Sequence, residues 1–262
     1  AHNLGFPRIG ADRELKKALE AYWKGELDEQ GLRQVGRQLR ARHWQAQLDA
    51  GIELLPVGDF AWYDQVLSHS LMFGVIPQRF RPAEGQATLD TLFAMARGVA
   101  RSCCGGAQAQ EMTKWFDTNY HYIVPEIADD QAFKAHPQRV IKLVEEARAA
   151  GHTVRPYLVG PVTLLALSKQ AEGATKSPLD RLDDAVKAYQ EVLAELDKSG
   201  VKWVQLAEPA LVADLTIAND EELAAHTKRA YEAILAADNR PQVYLTTPYG
   251  SARKGLDVLA EL

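Results

Sequence analysis

The sequence predicts an α/β protein of the (β/α)8 barrel type, truncated after about six strands, and three observations carry that prediction. The first is a repeated unit: an amphipathic helix ends at Gly or Asn, a short apolar strand follows, and a Pro-marked loop comes next. Strands alternating with helices imply parallel neighbours, because parallel strands need a crossover connection. The second is the absence of a G-x-G-x-x-G turn after the first strand candidate, which a doubly wound nucleotide-binding sheet would favour. The third is the set Asp59, Glu126, Thr163, Glu208 and Thr247 at the carboxyl ends of strand candidates, the face that carries the site in a barrel.

In chain order, LGFPRIG (4–10) is the first strand candidate, and ADRELKKALEAYWKG (11–25) opens a helix with Arg13, Lys16 and Lys17 in its first two turns. A helix stopping at Gly51 leads into IELLPVGDF (52–60). HYIVPE (121–126) is the next strand candidate, and a helix stopping at Gly151 leads into VRPYLVGP (154–161). The unit is clearest at Leu182 to Ser199. Leu182, Ala185, Val186, Tyr189, Val192, Leu193 and Leu196 recur at helical spacing on one face, with Lys198 in the last turn and Gly200 beyond it. That helix leads into VKWVQLAEP (201–209), and another stopping near Asn239 leads into PQVYLTTP (241–248). RSCCGGAQAQ (101–110) reads as a loop. Six strands do not close an eight-stranded barrel, so residues 1–262 are expected to form one incomplete barrel domain.

Composition narrows the function classes. A formal net charge of −5 over 262 residues gives no general pull on nucleic acid or anionic membranes. The two cysteines, Cys103 and Cys104, are adjacent, so no disulfide framework is expected and a reducing cytoplasm is the expected compartment. The start, AHNLGFPRIG, has neither the basic nor the apolar region of a signal peptide, and no apolar run is long enough to span a membrane.

Three regions could carry chemistry. At the start of the 11–25 helix, lysines near backbone N–H groups would suit a carboxylate or phosphate ligand; with Glu14 and Glu20 nearby, a solvated charged face is the alternative. EMTKWFDTNYHYIVPE (111–126) gathers Lys114, Trp115, Asp117, Asn119, Tyr120, His121, Tyr122 and Glu126. Aromatics beside polar groups suit a flat heterocycle, or else they fill the core at a strand entry. Asp59, followed by Trp62 and Tyr63, is either a site acid or the cap of the next helix. Glu126 and Glu208 could work as an acid and base pair in a barrel hydrolase, or simply hydrogen-bond at strand ends. A zinc site needs about three converging ligands, and neither the adjacent cysteines nor the scattered histidines supply them.

HNLGFPRIG with RELKKALEAYWKG, LLPVGDFAWYDQVL, EMTKWFDTNYHYIVPE, LVGPVTLLALSK and WVQLAEPALV, in that order, resemble the amino-terminal domain of cobalamin-independent methionine synthase. The resemblance runs over essentially the whole chain. It implies a zinc-dependent methyltransferase of two facing (β/α)8 barrels that moves the methyl group of 5-methyltetrahydropteroyl-polyglutamate to homocysteine, forming methionine. Zinc, which binds the homocysteine sulfur, would sit in the carboxy-terminal barrel, absent here, so none is expected in this chain and the isolated chain is expected to be inactive. The amino-terminal barrel would help to bind the folate and its glutamate tail. The family's folate-contacting stretch falls on Asp12, Arg13, Glu14 and Leu15, with Lys16 beside it, and the second motif falls on Lys114 and Asn119. No catalytic residue is expected in this chain. In WVQLAEPALV this chain has Ala207 where the family usually has Asp. The alternatives are a non-catalytic folate-polyglutamate binding module and a hydrolase using Glu126 and Glu208.

Overall fold

The predicted alternation of helix and short apolar strand is realised at four of the six expected strands. The computed structural model describes residues 1–83, 85–100, 106–215 and 218–262; Cys103, Cys104 and the first half of the 101–110 segment lie outside the described residues. The first elements are α1 (Glu14–Trp23), α2 (Glu29–Asp49), β1 (Leu55–Val57), α3 (Gln65–Met72), α4 (Leu89–Arg97), β2 (Met112–Lys114), β3 (His121–Ile123) and β4 (Glu126–Ile127). Then come α5 (Gln138–Ala149), β5 (Val154–Val159), α6 (Pro161–Ala166), β6 (Lys169–Gln170) and α7 (Leu182–Lys198). The last are β7 (Trp203–Ala207), α8 (Asp220–Leu235), β8 (Gln242–Thr246) and α9 (Leu256–Ala260). They form a mixed α/β protein with parallel strand pairs. Among the described residues the sheets are open, with two to four strands each, and no closed barrel is present. No helix there is long and apolar enough to cross a membrane.

The chain divides into two compact units, residues 1–62 with 140–157 and residues 63–139 with 158–262. In the first, α1 packs on α2 and buries Leu15, Ala18 and Leu19. Asp28 caps α2 by accepting the Gly31 N–H at 2.7 Å. β1 runs parallel to the start of β5, with Leu55 opposite Val154 and Val57 opposite Pro156. Arg40, almost wholly buried on α2, donates to both oxygens of Glu146, at 3.0 and 2.7 Å.

The expected strand LGFPRIG does not form; the isolated bridge nearby, His2 to Leu54, lies before it. Pro7 has no N–H to give to a ladder. The Phe6 N–H goes instead to the Asp59 side chain at 2.9 Å, and Arg8 Nε donates to the Ala61 carbonyl at 2.9 Å. The segment is therefore an irregular strap held by side chains.

In the second unit, β7 and β8 pair in parallel from Trp203–Gln242 to Ala207–Thr246. The predicted face of α7 is buried, and its Tyr189 stacks on Phe73 at 4.1 Å and donates to the Val159 carbonyl at 2.6 Å. HYIVPE does not run as one parallel strand. β3 pairs antiparallel with β2 as a hairpin, Lys114 opposite His121, and after Pro125 the chain continues as β4, parallel to β6. Proline cannot donate to a ladder, so pairing changes partner there. Asp64, not Asp59, caps the next helix, accepting the Leu67 N–H at 2.7 Å. Its other oxygen accepts the Ile123 N–H of β3 at 3.0 Å, which ties the hairpin to α3.

His69 is buried on α3. Its Nδ1 contacts the Gln65 carbonyl at 2.6 Å and its Nε2 accepts the Val159 N–H at 3.0 Å. That pairing requires neutral imidazole, with the proton on Nδ1. Burial pushes its pKa from 6.5 down to about 4. The stability conferred by neutral His69 is therefore present above pH 6.5 and lost as pH falls toward 4. Asp59 and Glu208, whose pKa values are raised, act with the opposite sign, so the difference between variants isolates His69. The unfolding free energy of wild type relative to His69→Gln is expected to fall by roughly 2–3 kcal/mol between pH 7 and pH 4 in urea titrations. Parallel pH profiles would refute the neutral assignment.

Candidate functional site

The residues carried over from the resemblance divide between the two units: Asp12 to Lys16 in the first, Lys114 and Asn119 in the second. The first group surrounds the start of α1. The chain reaches it through Gly10, at φ 87°, and Arg13, itself left-handed at φ 59°, ψ 34°. Arg13 therefore precedes the helix, which starts at Glu14, one residue later than the cation pattern suggests. The turn is closed by the Arg13 N–H to the Gly10 carbonyl at 3.2 Å and the Leu15 N–H to the Ile9 carbonyl at 3.1 Å.

Within this group the side chains have different tasks. Leu15 is fully buried and anchors α1, so its side chain is out of a ligand's reach. Glu14 is a brace. One oxygen accepts from Arg42 of α2 and the other accepts the Asp12 N–H at 3.0 Å. Its pKa is lowered, first by its own backbone N–H and next by Arg42. The N–H groups of Glu14 and Leu15 are thus already engaged, and an anion here would meet side-chain charge rather than bare helix-end N–H groups. Asp12, Arg13 and Lys16 are exposed. Lys16 lies 3.8 Å from Glu20 in an exposed pair, an arrangement that contributes only about 0.3–0.5 kcal/mol and leaves the ammonium easily recruited.

The second group stands on the β2–β3 hairpin. Lys114 ends β2, is exposed and has no ion-pair partner among the described residues. Asn119 is exposed in the turn. The turn is fixed by the Trp115 N–H to the Tyr120 carbonyl at 2.8 Å and by Thr118 Oγ1 donating to the Trp115 carbonyl at 2.6 Å. Trp115 itself is buried and meets Tyr122 edge-on at 6.0 Å, so the core-filling reading of the aromatics holds for these two.

The strand-end acids are committed elsewhere. Asp59, two residues beyond β1, accepts the Phe6 N–H, and burial pushes its pKa up to about 6 against its N–H donors and Arg155. The cavity beside it, lined in part by Phe6, Arg40 and His43, has about 10 Å³, room for one water and far too little for a folate. Glu208, directly after β7 and fully buried, accepts N–H groups from Val162 at 3.1 Å and Thr163 at 2.6 Å and the Tyr231 hydroxyl at 3.0 Å. Burial raises its pKa to about 7 while those donors oppose the shift. Glu126 opens β4 instead of ending a strand, and both its oxygens accept from Arg79, at 2.7 and 2.8 Å. An acid and base pair working on a sugar or ester needs free carboxylates, and these two are held. Ala207 is fully buried and contributes its carbonyl, which accepts the Gly160 N–H at 2.8 Å. Among the described residues no three His, Cys, Asp or Glu side chains converge to hold a metal ion.

Sequence reasoning passed over Phe116 and Tyr249. Both take positive φ, 49° and 76°, and their rings stack at 5.6 Å. Phe116 lies inside the aromatic motif, where its density was a usable signal; Tyr249 carried none.

Gly10→Ala would place a Cβ 2.1 Å from Glu14 Oε2 at a φ of 87°. The substitution is expected to lower the unfolding free energy by about 1–2 kcal/mol. A urea titration showing a loss below roughly 0.5 kcal/mol, the scatter of ordinary surface changes, would show that the turn and the Glu14 brace do not need this conformation.

Two comparisons bear on this geometry. The family model described as "Cobalamin-independent synthase, N-terminal domain" matches residues 1–262. The chain is 49% identical over 262 residues to the 5-methyltetrahydropteroyltriglutamate–homocysteine methyltransferase of Proteus mirabilis (strain HI4320), covering 100% of this chain and 33% of the relative. The chain thus spans about a third of the length of that relative.

Proposed function

The chain belongs to the cobalamin-independent synthase family, matching its N-terminal domain, and from that premise we propose that it is part of a methyltransferase making methionine from homocysteine. Its share of the task is to bind the methyl donor, 5-methyltetrahydropteroyl-polyglutamate, chiefly through the glutamate tail. The printed name of the Proteus relative supports the substrate pair. The observation that carries the tail assignment is the set of exposed cations, Arg13 and Lys16 beside the Glu14 brace and Lys114 without an ion-pair partner among the described residues.

A glutamate tail is a flexible polyanion. An exposed lysine on a rigid element can meet a tail carboxylate, Lys16 on the first unit and Lys114 on the second each by itself. Asn119 adds a polar group in the turn of the Lys114 hairpin, whereas the Asp12 carboxylate carries the same sign as the tail. Such contacts are individually weak and screened by salt, which suits a ligand that must leave after each turnover. In this reading zinc and homocysteine belong to a part of the longer relative outside these residues. The chain's own residues bind and orient, and no catalytic step is assigned to them. We read the alternating strands and helices as part of a (β/α)8 barrel, a fold whose strand ends and loops carry the site. A binding module without catalysis would make the same tail contacts. The hydrolase alternative is disfavoured by the engaged carboxylates of Glu126 and Glu208.

Lys16→Ala and Lys114→Ala are each expected to weaken binding of the triglutamate ligand by about two- to fivefold and to leave the monoglutamate ligand within twofold. Calorimetric titration of both ligands with both variants checks this. Equal losses for the two ligands would show that these lysines do not read the tail.

A further inference from the structure

Among the described residues, three that are not glycine adopt a left-handed backbone: Arg13, Phe116 and Tyr249. L side chains rarely take this conformation, and it persists only where the surroundings over-determine it. Two of the three meet. The ring of Phe116, from the β2–β3 turn, stacks on that of Tyr249, from the loop after β8, with centroids 5.6 Å apart and planes at 12°. Trp115 stands edge-on to both, at 4.8 Å from Phe116 and 6.0 Å from Tyr249.

Both backbones are pinned. Thr118 and Tyr120 close the hairpin turn on Trp115. On the other side Gly250 runs so close to Val212 that a Cβ there would lie 2.3 Å from the Val212 carbonyl oxygen. Core filling explains Trp115, which is 2% exposed, but not Tyr249, which is 53% exposed. Two strained residues hold a ring pair at the surface, and an exposed lysine precedes it by two residues, a Cα separation of at most about 7 Å. An open aromatic surface beside a cation fits a planar ring that carries an anionic substituent.

We propose that the Phe116–Tyr249 stack is a platform for the p-aminobenzoyl ring of the folate, next to the tail carboxylates met by Lys114. The inference rests on the tail-binding reading above and extends it. In the ligand a single amide bond joins the benzoyl ring to the first glutamate, which matches the closeness of Phe116 and Lys114 along the chain. The platform makes the site selective for a folate tail over a free glutamate chain, a distinction that lysines alone cannot make.

The test compares two probes on the intact chain, p-aminobenzoyl-γ-triglutamate and γ-linked triglutamate without the ring. The ring-bearing probe is expected to bind roughly tenfold tighter, the scale of one ring stacked on an aromatic side chain. Tyr249→Leu should reduce that preference to twofold or less while leaving the ring-free probe unchanged, which also shows that the variant folds. Tyr249→Phe should keep the preference. Equal affinity of wild type for the two probes overturns the platform and leaves the tail reading standing. So does a preference that survives Tyr249→Leu, or an equal loss for both probes. A wild-type chain that binds neither probe overturns the tail reading and the platform with it.

Discussion

The carboxylate of Asp64 joins two parts of the second unit that the chain itself separates by nearly sixty residues. One oxygen caps α3 at Leu67 and the other takes the Ile123 N–H of β3. The hairpin carrying Lys114, Phe116 and Asn119 is thereby fixed to a helix instead of standing alone, and an isolated two-stranded hairpin is marginal in water. The same device recurs at other strand ends. Asp59 takes the Phe6 N–H, Glu208 takes those of Val162 and Thr163, and His69 takes that of Val159. Helix starts, short strands and irregular segments leave backbone donors without partners, an unpaired buried donor costs about 1–3 kcal/mol, and this chain meets that demand with buried polar side chains.

This division explains why the acids that look chemical are structural and the cations that look ordinary are the stronger candidates for ligand contact. Asp59 and Glu208 follow strands, where a barrel enzyme would keep its acids, and Glu126 opens one, yet each is engaged by donors or by an arginine. Glu14, inside the segment the resemblance marks for folate, braces Arg42 and the Asp12 N–H. The cations of these segments are exposed and at most weakly paired: Arg13 and Lys16, the latter 3.8 Å from Glu20, in the first unit, and Lys114 in the second. A mildly acidic protein can thus present local positive charge to a polyanionic tail without a general affinity for polyanions.

Much of this was legible in the sequence where a local pattern determines the outcome. The apolar spacing of α7 fixed its buried face, and the strands at 55–57, 154–159, 203–207 and 242–246 were marked by short apolar runs between glycine stops and prolines. LGFPRIG failed because its hydrogen bonds go to the side chain of Asp59 and the carbonyl of Ala61, partners about fifty residues away that no window contains. HYIVPE failed for a related reason: antiparallel pairing with Met112–Lys114 is a choice of partner, and Pro125 forces the switch to β6. The charges at Lys16 and Lys114 could be read, as could the family. Left-handed backbone at Arg13, Phe116 and Tyr249 could not, since it is imposed by the turns and contacts around each residue.

The central claim is that exposed side-chain charge on this chain reads the glutamate tail, and a salt series tests it most directly. Calorimetric titration with 5-methyltetrahydropteroyl-triglutamate from about 20 to about 300 mM salt spans Debye lengths from roughly 20 down to 6 Å. The account predicts saturable binding that weakens steadily as salt rises, with the monoglutamate ligand changing much less. Binding of the triglutamate that is indifferent to salt, or no binding even at the lowest salt, would contradict it.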